Sequence, residues 1–301
     1  MFGYVRPSVR DLPEEERIPL IEKFRKMYET MDFYVLYNRF LKKEGYQTLP
    51  RRPLEKRKLR YEDVYPVLYL KYRLSRQAER SNIKHLVIDE MQDYSRLQYL
   101  IIRRMFSCKM TILGDRAQTM ADQQQDVLQF LPGIFGKDLR RIEMRKSYRN
   151  TVEIASYAAN LIGVTDLELF ERHGMPVLER DVTDLEAALR EAVDTLFPDE
   201  KTYETAAVIV PDEKTAERTY LILREILSEK DFDCEKRLSW LNRDSSSFKK
   251  GLTVTTFYLA KGLEFDQVFS IFPKDEKREI MMQAQYIAAT RALHELRVYH
   301  I

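Results

Sequence analysis

Two short clusters in this chain have residue types and spacing that suit phosphate chemistry. The first, Asp89-Glu90-Met91-Gln92-Asp93, follows the apolar run Leu86-Val87-Ile88. A strand that delivers adjacent carboxylates to its C-terminal edge suits a nucleotide site, because ligands of open α/β sheets bind at that edge. One carboxylate can hold Mg²⁺ through water, and the next can orient or deprotonate an attacking water. Standing alone, the cluster reads equally well as a strand end with a solvated acidic loop. The second, Gly114-Asp115-Arg116-Ala117-Gln118, continues directly from Met110-Thr111-Ile112-Leu113. Glycine there permits a tight turn, and a glutamine four residues on can reach a phosphate or its attacking water. Either cluster is a weak signal singly; two strands ending alike are a much stronger one.

The elements that must position these groups are legible as a change of texture near residue 80. Beyond it, short apolar runs alternate with amphipathic segments, the pattern of a parallel sheet covered by helices. The runs are His85–Ile88, Met110–Leu113, Ala206–Val210, Leu252–Thr255 and Gln267–Ile271, with Leu296–Tyr299 a further candidate. Residues 151–162 and 215–228 have helical periodicity. Residues 1 to 80 read as helical and strongly charged. After Pro19, the positions Leu20, Ile21, Phe24, Met27, Tyr28 and Met31 recur at helical spacing. A second run holds Phe33, Leu36, Tyr37, Phe40 and Leu41, and Gly45 suits its C-cap. The basic stretch Arg51, Arg52, Lys56, Arg57, Lys58 and Arg60 has two readings, a solvated linker or helix face and a phosphate-contacting surface. No internal repeat or low-complexity tract is present.

Bulk composition narrows the class. A chain of 301 residues has room for two domains. Its net charge of +2 argues neither for nor against nucleic acid. Cys108 and Cys234 form no disulfide framework and, like the four scattered histidines, lack metal-ligand spacing. With no signal peptide and no long apolar run, the expectation is a soluble, cytoplasmic protein away from membranes.

Five motifs in order give the chain a resemblance. Asp89–Asp93 resembles the DExQD form of Walker B in UvrD/Rep-type superfamily 1 DNA helicases, and Gly114–Gln118 the GDxxQ motif that follows it. Ser147-Tyr148-Arg149-Asn150 is similar to the motif at the junction of the two motor domains. Thr256 to Phe265, TFYLAKGLEF, resembles TxHxxKGLEF, and Tyr286 to Ala292, YIAATRA, resembles YVALTRA. Leu259–Asp266 and Thr290–Leu296 are nearer the HelD branch than UvrD itself. Taken singly, Tyr148 reads as a packed junction residue, Arg149 and Arg291 as surface charges, and Gly262 as a plain turn. The ordered set outweighs those readings.

The resemblance implies an α/β fold of RecA-like (P-loop NTPase) motor domains with parallel sheets, preceded by a helical segment. It implies ATP and Mg²⁺ as cofactors and DNA as partner. Asp89 would bind Mg²⁺, Glu90 would be the catalytic base, and Gln118 would sense the γ-phosphate. Tyr148 would stack on adenine, with Asp115 and Gly262 also in the nucleotide-binding set. Arg149 and Arg291 would reach the γ-phosphate, a task suited to planar, permanently charged guanidinium groups. Glu264 would accept from the ribose. Thr256, Tyr258 and Lys261 would contact nucleic acid.

The sequence departs from the family pattern in three places. GxxxxGK[ST], the Walker A loop, is missing: among nine glycines only Gly136 precedes a lysine, and Lys137 is followed by Asp138. The expectation is a piece of a larger helicase, preferred over a natural degenerate relative because the downstream residues are intact. The spacing from Tyr148 to Thr256 leaves no room for the accessory domain that UvrD and Rep insert there, which HelD-type proteins also lack. Tyr258 stands where UvrD-like enzymes often carry histidine. The expected division is a helical accessory segment at 1–79, the remainder of a first RecA-like domain at 80–147, and a second at 148–301. The expected function is ATP-driven movement on nucleic acid. The alternatives are a HelD-like ATPase that releases RNA polymerase from nucleic acid, and a catalytically inactive binding module.

Overall fold

In the computed structural model the described residues are 13–26, 30, 32–74, 82–115, 118, 126–136, 139–144, 146–164, 168–197, 203–230, 232–245, 250–274 and 279–301. Met27, Tyr28 and Met31 of the expected first helix, and Arg116 and Ala117 of the second cluster, lie outside them. The chain divides into two units, one of Met1–Asp115 with Ala121–Arg140 and the other of Arg116–Met120 with Arg141–Ile301.

The first unit begins with helices α1 (Glu14–Lys26), α2 (Phe33–Lys43) and α3 (Tyr61–Leu74). Helix α1 starts ahead of Pro19 rather than after it, with three glutamates in its first turn, where negative charge favours the helix dipole. Asp32 caps α2 by accepting from the N–H groups of Tyr34 and Val35. Gly45 closes it at φ +78. The Tyr46 N–H reaches the Leu41 carbonyl at 2.8 Å and the Gly45 N–H the Lys42 carbonyl at 3.3 Å. This paired ending needs a left-handed residue, which glycine adopts without a Cβ penalty.

Tyr34, Tyr37, Leu41 and Leu49 form the small core of these helices. Inside it Tyr37 donates to the buried Asp63 carboxylate at 2.9 Å; burial and that carboxylate push the phenol up to about 12. Part of the basic stretch is internal scaffolding: Arg57 pairs with Asp32 at 2.7 Å and lies over the Tyr34 ring.

The unit continues with β1 (His85–Ile88), α4 (Arg96–Met105), β2 (Lys109–Ile112) and α5 (Val127–Phe135). β1 and β2 pair in parallel, Ile88 opposite Ile112. Ser95 and Gln98 form a reciprocal capping box that starts α4. Tyr99 on α4, fully buried, packs with Ile88, Val127 and Leu131 beneath the strands. Val87 is nevertheless 60% exposed.

The second unit contains β3 (Lys146–Ser147), α6 (Val152–Leu161), β4 (Glu168–Leu169), β5 (Leu178–Asp181), α7 (Leu185–Asp194), β6 (Thr205–Val210), α8 (Glu213–Ser228), α9 (Cys234–Arg237), β7 (Leu238–Trp240), β8 (Gly251–Thr256), β9 (Phe265–Phe272), α10 (Glu279–Ala289) and β10 (Ala292–His300). Six strands form one sheet in the order β5-β10-β9-β6-β8-β7, parallel at every pairing. The fold is therefore α/β with a parallel sheet, as the alternating apolar runs required.

Both sheet faces are covered, and β6 shows why its sequence is an unbroken apolar run. Ala206, Val208 and Val210 enter a core with α7 and α8. Ala207 and Ile209 enter the opposite core with α6 and α10. A central parallel strand buried on both faces has no polar side to alternate with. Asp266 at the start of β9 then ties two strands together, accepting from the N–H groups of Glu204 and Thr205 at 2.9 Å each and from the Thr205 hydroxyl.

Candidate functional site

In the first unit the two clusters leave the C-terminal ends of β1 and β2 and are stitched together. The Leu113 N–H donates to the Ile88 carbonyl and the Met91 N–H to the Leu113 carbonyl, each at 2.8 Å. The Tyr99 hydroxyl fixes the Met91 carbonyl from below at 3.0 Å, and burial pushes that phenol well above its ordinary value. Glu90 has φ +51, a left-handed conformation that costs a non-glycine residue roughly 1–3 kcal/mol and persists only where its surroundings impose it.

Those surroundings centre on Gln92, buried and donating through Nε2 to the Glu90 carboxylate at 2.5 Å. Its Oε1 accepts the Asp115 N–H at 3.1 Å, so one amide joins both clusters. Gly114 is the residue this contact demands: a Cβ there would lie 2.7 Å from the Met91 nitrogen and overlap the Met91 and Gln92 side chains. Asp89 is exposed and accepts the Glu90 N–H at 2.8 Å.

Among the described residues no group of three or more His, Cys, Asp or Glu could hold a metal ion. An exposed Asp89 beside Glu90 still fits magnesium held in its usual manner with nucleotides, by one or two carboxylates completed by waters and phosphates.

In the second unit Gln118 and Arg291 meet. The Arg291 side chain, 1% exposed, donates to Gln118 Oε1 at 3.3 Å, to the Thr290 hydroxyl at 3.1 Å, and to the carbonyls of Ile287 and Leu263. Asn150 secures the same turn, donating to the Ala292 carbonyl at 2.6 Å and the Thr290 carbonyl at 3.3 Å. Arg149 pairs with Glu264 at 2.7 Å, so these two expected site residues hold each other at the surface.

Tyr148 is 59% exposed. Its ring lies 5.5 Å from that of Phe170, with the Lys146 ammonium over both. Gly262 sits in a turn at φ +77 with open space around it. Of the three expected nucleic-acid contacts, Thr256 is buried at 1% exposure, Tyr258 packs against Phe257, and Lys261 is half-buried. The hydroxyl of Thr256 has no hydrogen-bond partner.

Residues 10–120 match the family model described as the UvrD/REP helicase N-terminal domain. The matched stretch takes in both the Asp89 and Gly114 clusters and supports a helicase-type function for that region. No curated protein matches the sequence. Among solved structures, the C-terminal domain of a possible DNA helicase from Lactobacillus plantarum WCFS1 is 24% identical, with 52% of this chain and 88% of that one covered and a TM-score of 0.40. The helicase of PRRSV is 16% identical over 72% of this chain and 35% of its own, at a TM-score of 0.40. An arterivirus nonstructural protein 10 helicase, in complex with DNA, is 14% identical over 72% and 39%, at 0.39. The chain thus spans little more than a third of either viral protein.

Sequence reasoning missed Gln92, Asn150 and Phe170. The first two stood inside quoted motifs without a role, and their amide side chains were the available signal. Phe170 is a lone aromatic in a short polar segment, and no spacing rule pointed to it.

Proposed function

We propose that this chain is part of an ATP-dependent nucleic-acid motor of the UvrD/Rep helicase type, built on RecA-like domains. The observation that carries the reading is the Gln118–Arg291 hydrogen bond. Two residues assigned from separate motifs to the same phosphate are partners, although 173 positions apart in sequence. The matched helicase family over residues 10–120 supports it independently.

When bound, ATP with Mg²⁺ would supply the phosphoanhydride whose cleavage drives movement. Asp89 would hold the ion through water, and Glu90, aimed by Gln92, would orient or deprotonate the attacking water. Arg149 would exchange Glu264 for a phosphate at little cost, since an exposed pairing of this kind is worth at most about 1 kcal/mol. Gln118 and Arg291 act as one unit, because any shift of the glutamine moves a donor of the guanidinium. Nucleic acid is the proposed partner, with Lys261 and Tyr258 nearest the surface.

A second reading follows from Leu259–Asp266 and Thr290–Leu296, whose HelD-like wording makes RNA polymerase the partner. The test is binding of purified chain to a labelled single-stranded oligonucleotide across a salt series. A steep fall in affinity with salt supports the motor, since each neutralised phosphate releases counterions. Copurification with polymerase and no oligonucleotide binding supports the second reading. Neither result would sink both.

A further inference from the structure

The geometry points to Phe170 and Lys146 as partners of Tyr148 in a platform that takes the base of a purine nucleotide. The inference rests on the nucleotide-binding reading above and deepens it, since nothing assigns a role to either residue. The platform is built by the backbone. β3 and β4 pair in parallel with Lys146 opposite Glu168 and Ser147 opposite Leu169, and the Phe170 N–H donates to the Ser147 carbonyl at 3.1 Å. Side chains alternate along a strand, so Lys146 and Tyr148 share a face, and Phe170 falls beside Tyr148 on it.

The outcome is two large rings kept at the surface, Tyr148 59% and Phe170 45% exposed. They are tilted by 38° with centroids 5.5 Å apart. The Lys146 ammonium stands 5.5 Å from one centroid and 5.7 Å from the other. Burial cannot explain a pair so exposed; a flat ligand can. Nucleobases stack on aromatic rings through their π-faces, and a neighbouring cation adds to the attraction. A purine offers the larger face, and the ammonium favours a phosphorylated ligand over the free nucleoside.

The test is saturation-transfer NMR of the purified chain with ATP, adenosine and CTP, each titrated to an affinity. Expected are saturation strongest on the adenine protons and a preference for ATP over CTP. Phe170→Leu weakens ATP roughly five- to tenfold, the size of one lost base stack, and Phe170→Tyr restores it. Lys146→Gln weakens ATP severalfold more than it weakens adenosine, because only ATP also loses a phosphate partner. Unaltered ATP affinity in Phe170→Leu, with binding lost in Tyr148→Ala, would overturn this inference and leave the motor reading standing. Equal binding of ATP and CTP would also overturn it, as would an oligonucleotide weakened by Phe170→Leu while ATP is not. No ATP binding by the unaltered chain would overturn the platform, while the oligonucleotide series judges the motor separately.

Discussion

The guanidinium of Arg291 and the amide oxygen of Gln118 lie 3.3 Å apart, inside the second unit and away from solvent. Burying a guanidinium is costly unless its donors are satisfied, and this one is fixed by Gln118, Thr290, Ile287 and Leu263.

Arg291→Ala is therefore expected to destabilise the second unit by about 2–3 kcal/mol, because it strands several buried acceptors. Arg291→Lys should recover only part, since an ammonium cannot reproduce the planar fork. Urea unfolding followed by the fluorescence of Trp240, which lies in that unit, measures both. A loss below about 0.5 kcal/mol for the alanine variant would mean that the bonds contribute nothing net.

Gly114→Ala should disturb the join between the two clusters, because the added methyl meets Met91 and Gln92. The expected cost is about 1–3 kcal/mol, typical of overpacking a tight contact. Combined with Gln92→Ala, which opens the space, the penalty should shrink. Additive losses in that double-mutant cycle would refute the contact.

Glu90→Gly should cost less than Glu90→Val, since both lose the Gln92 hydrogen bond and only glycine suits the backbone. Relief of the left-handed backbone at φ +51, worth about 1–2 kcal/mol, offsets the entropy lost by ordering glycine, roughly 0.5–1 kcal/mol. Glu90→Val should be clearly destabilising, as a β-branched residue resists that conformation. Equal melting temperatures for the two variants would contradict the argument.

His173, which hydrogen-bonds its side chain, and the surrounding backbone N–H groups hold the Glu153 carboxyl down at about 2, against an ordinary 4.5. A depressed carboxylate stabilises the fold above its unfolded value, and that stability is lost as the pH falls. The window is thus from about 4.5 down to about 2. Glu153→Gln should flatten the stability profile there. An identical acid limb in both proteins would dismiss the effect.

How far the sequence alone leads depends on where each signal resides. β6 was legible because a strand buried on both faces becomes an apolar run, and β9 because Val268, Phe269 and Ile271 stand out despite the buried Gln267 and Ser270. Gly45 was legible because its conformation excludes most other residues. β5, Leu178-Glu179-Arg180-Asp181, was not, since three of its four residues are exposed and its place is set by pairing with β10, more than 100 residues later. α7 carried a readable pattern, Leu185, Ala188, Leu189, Ala192 and Val193, after the capping Asp184; small alanines disguised it as polar. The motif residues were identifiable by type, but the pairing of Arg149 with Glu264 is a matter of geometry that spacing does not contain.

The strand β10 lies between β5 and β9 rather than at an edge. A ribosome releases this segment after every other strand of the sheet, so the growing polypeptide must wait with β5 and β9 unjoined. For that interval the nascent protein carries an unpaired backbone edge along β9, from Gln267 to Phe272. Chaperone dependence during synthesis, more than thermal stability afterwards, is where this topology should be felt.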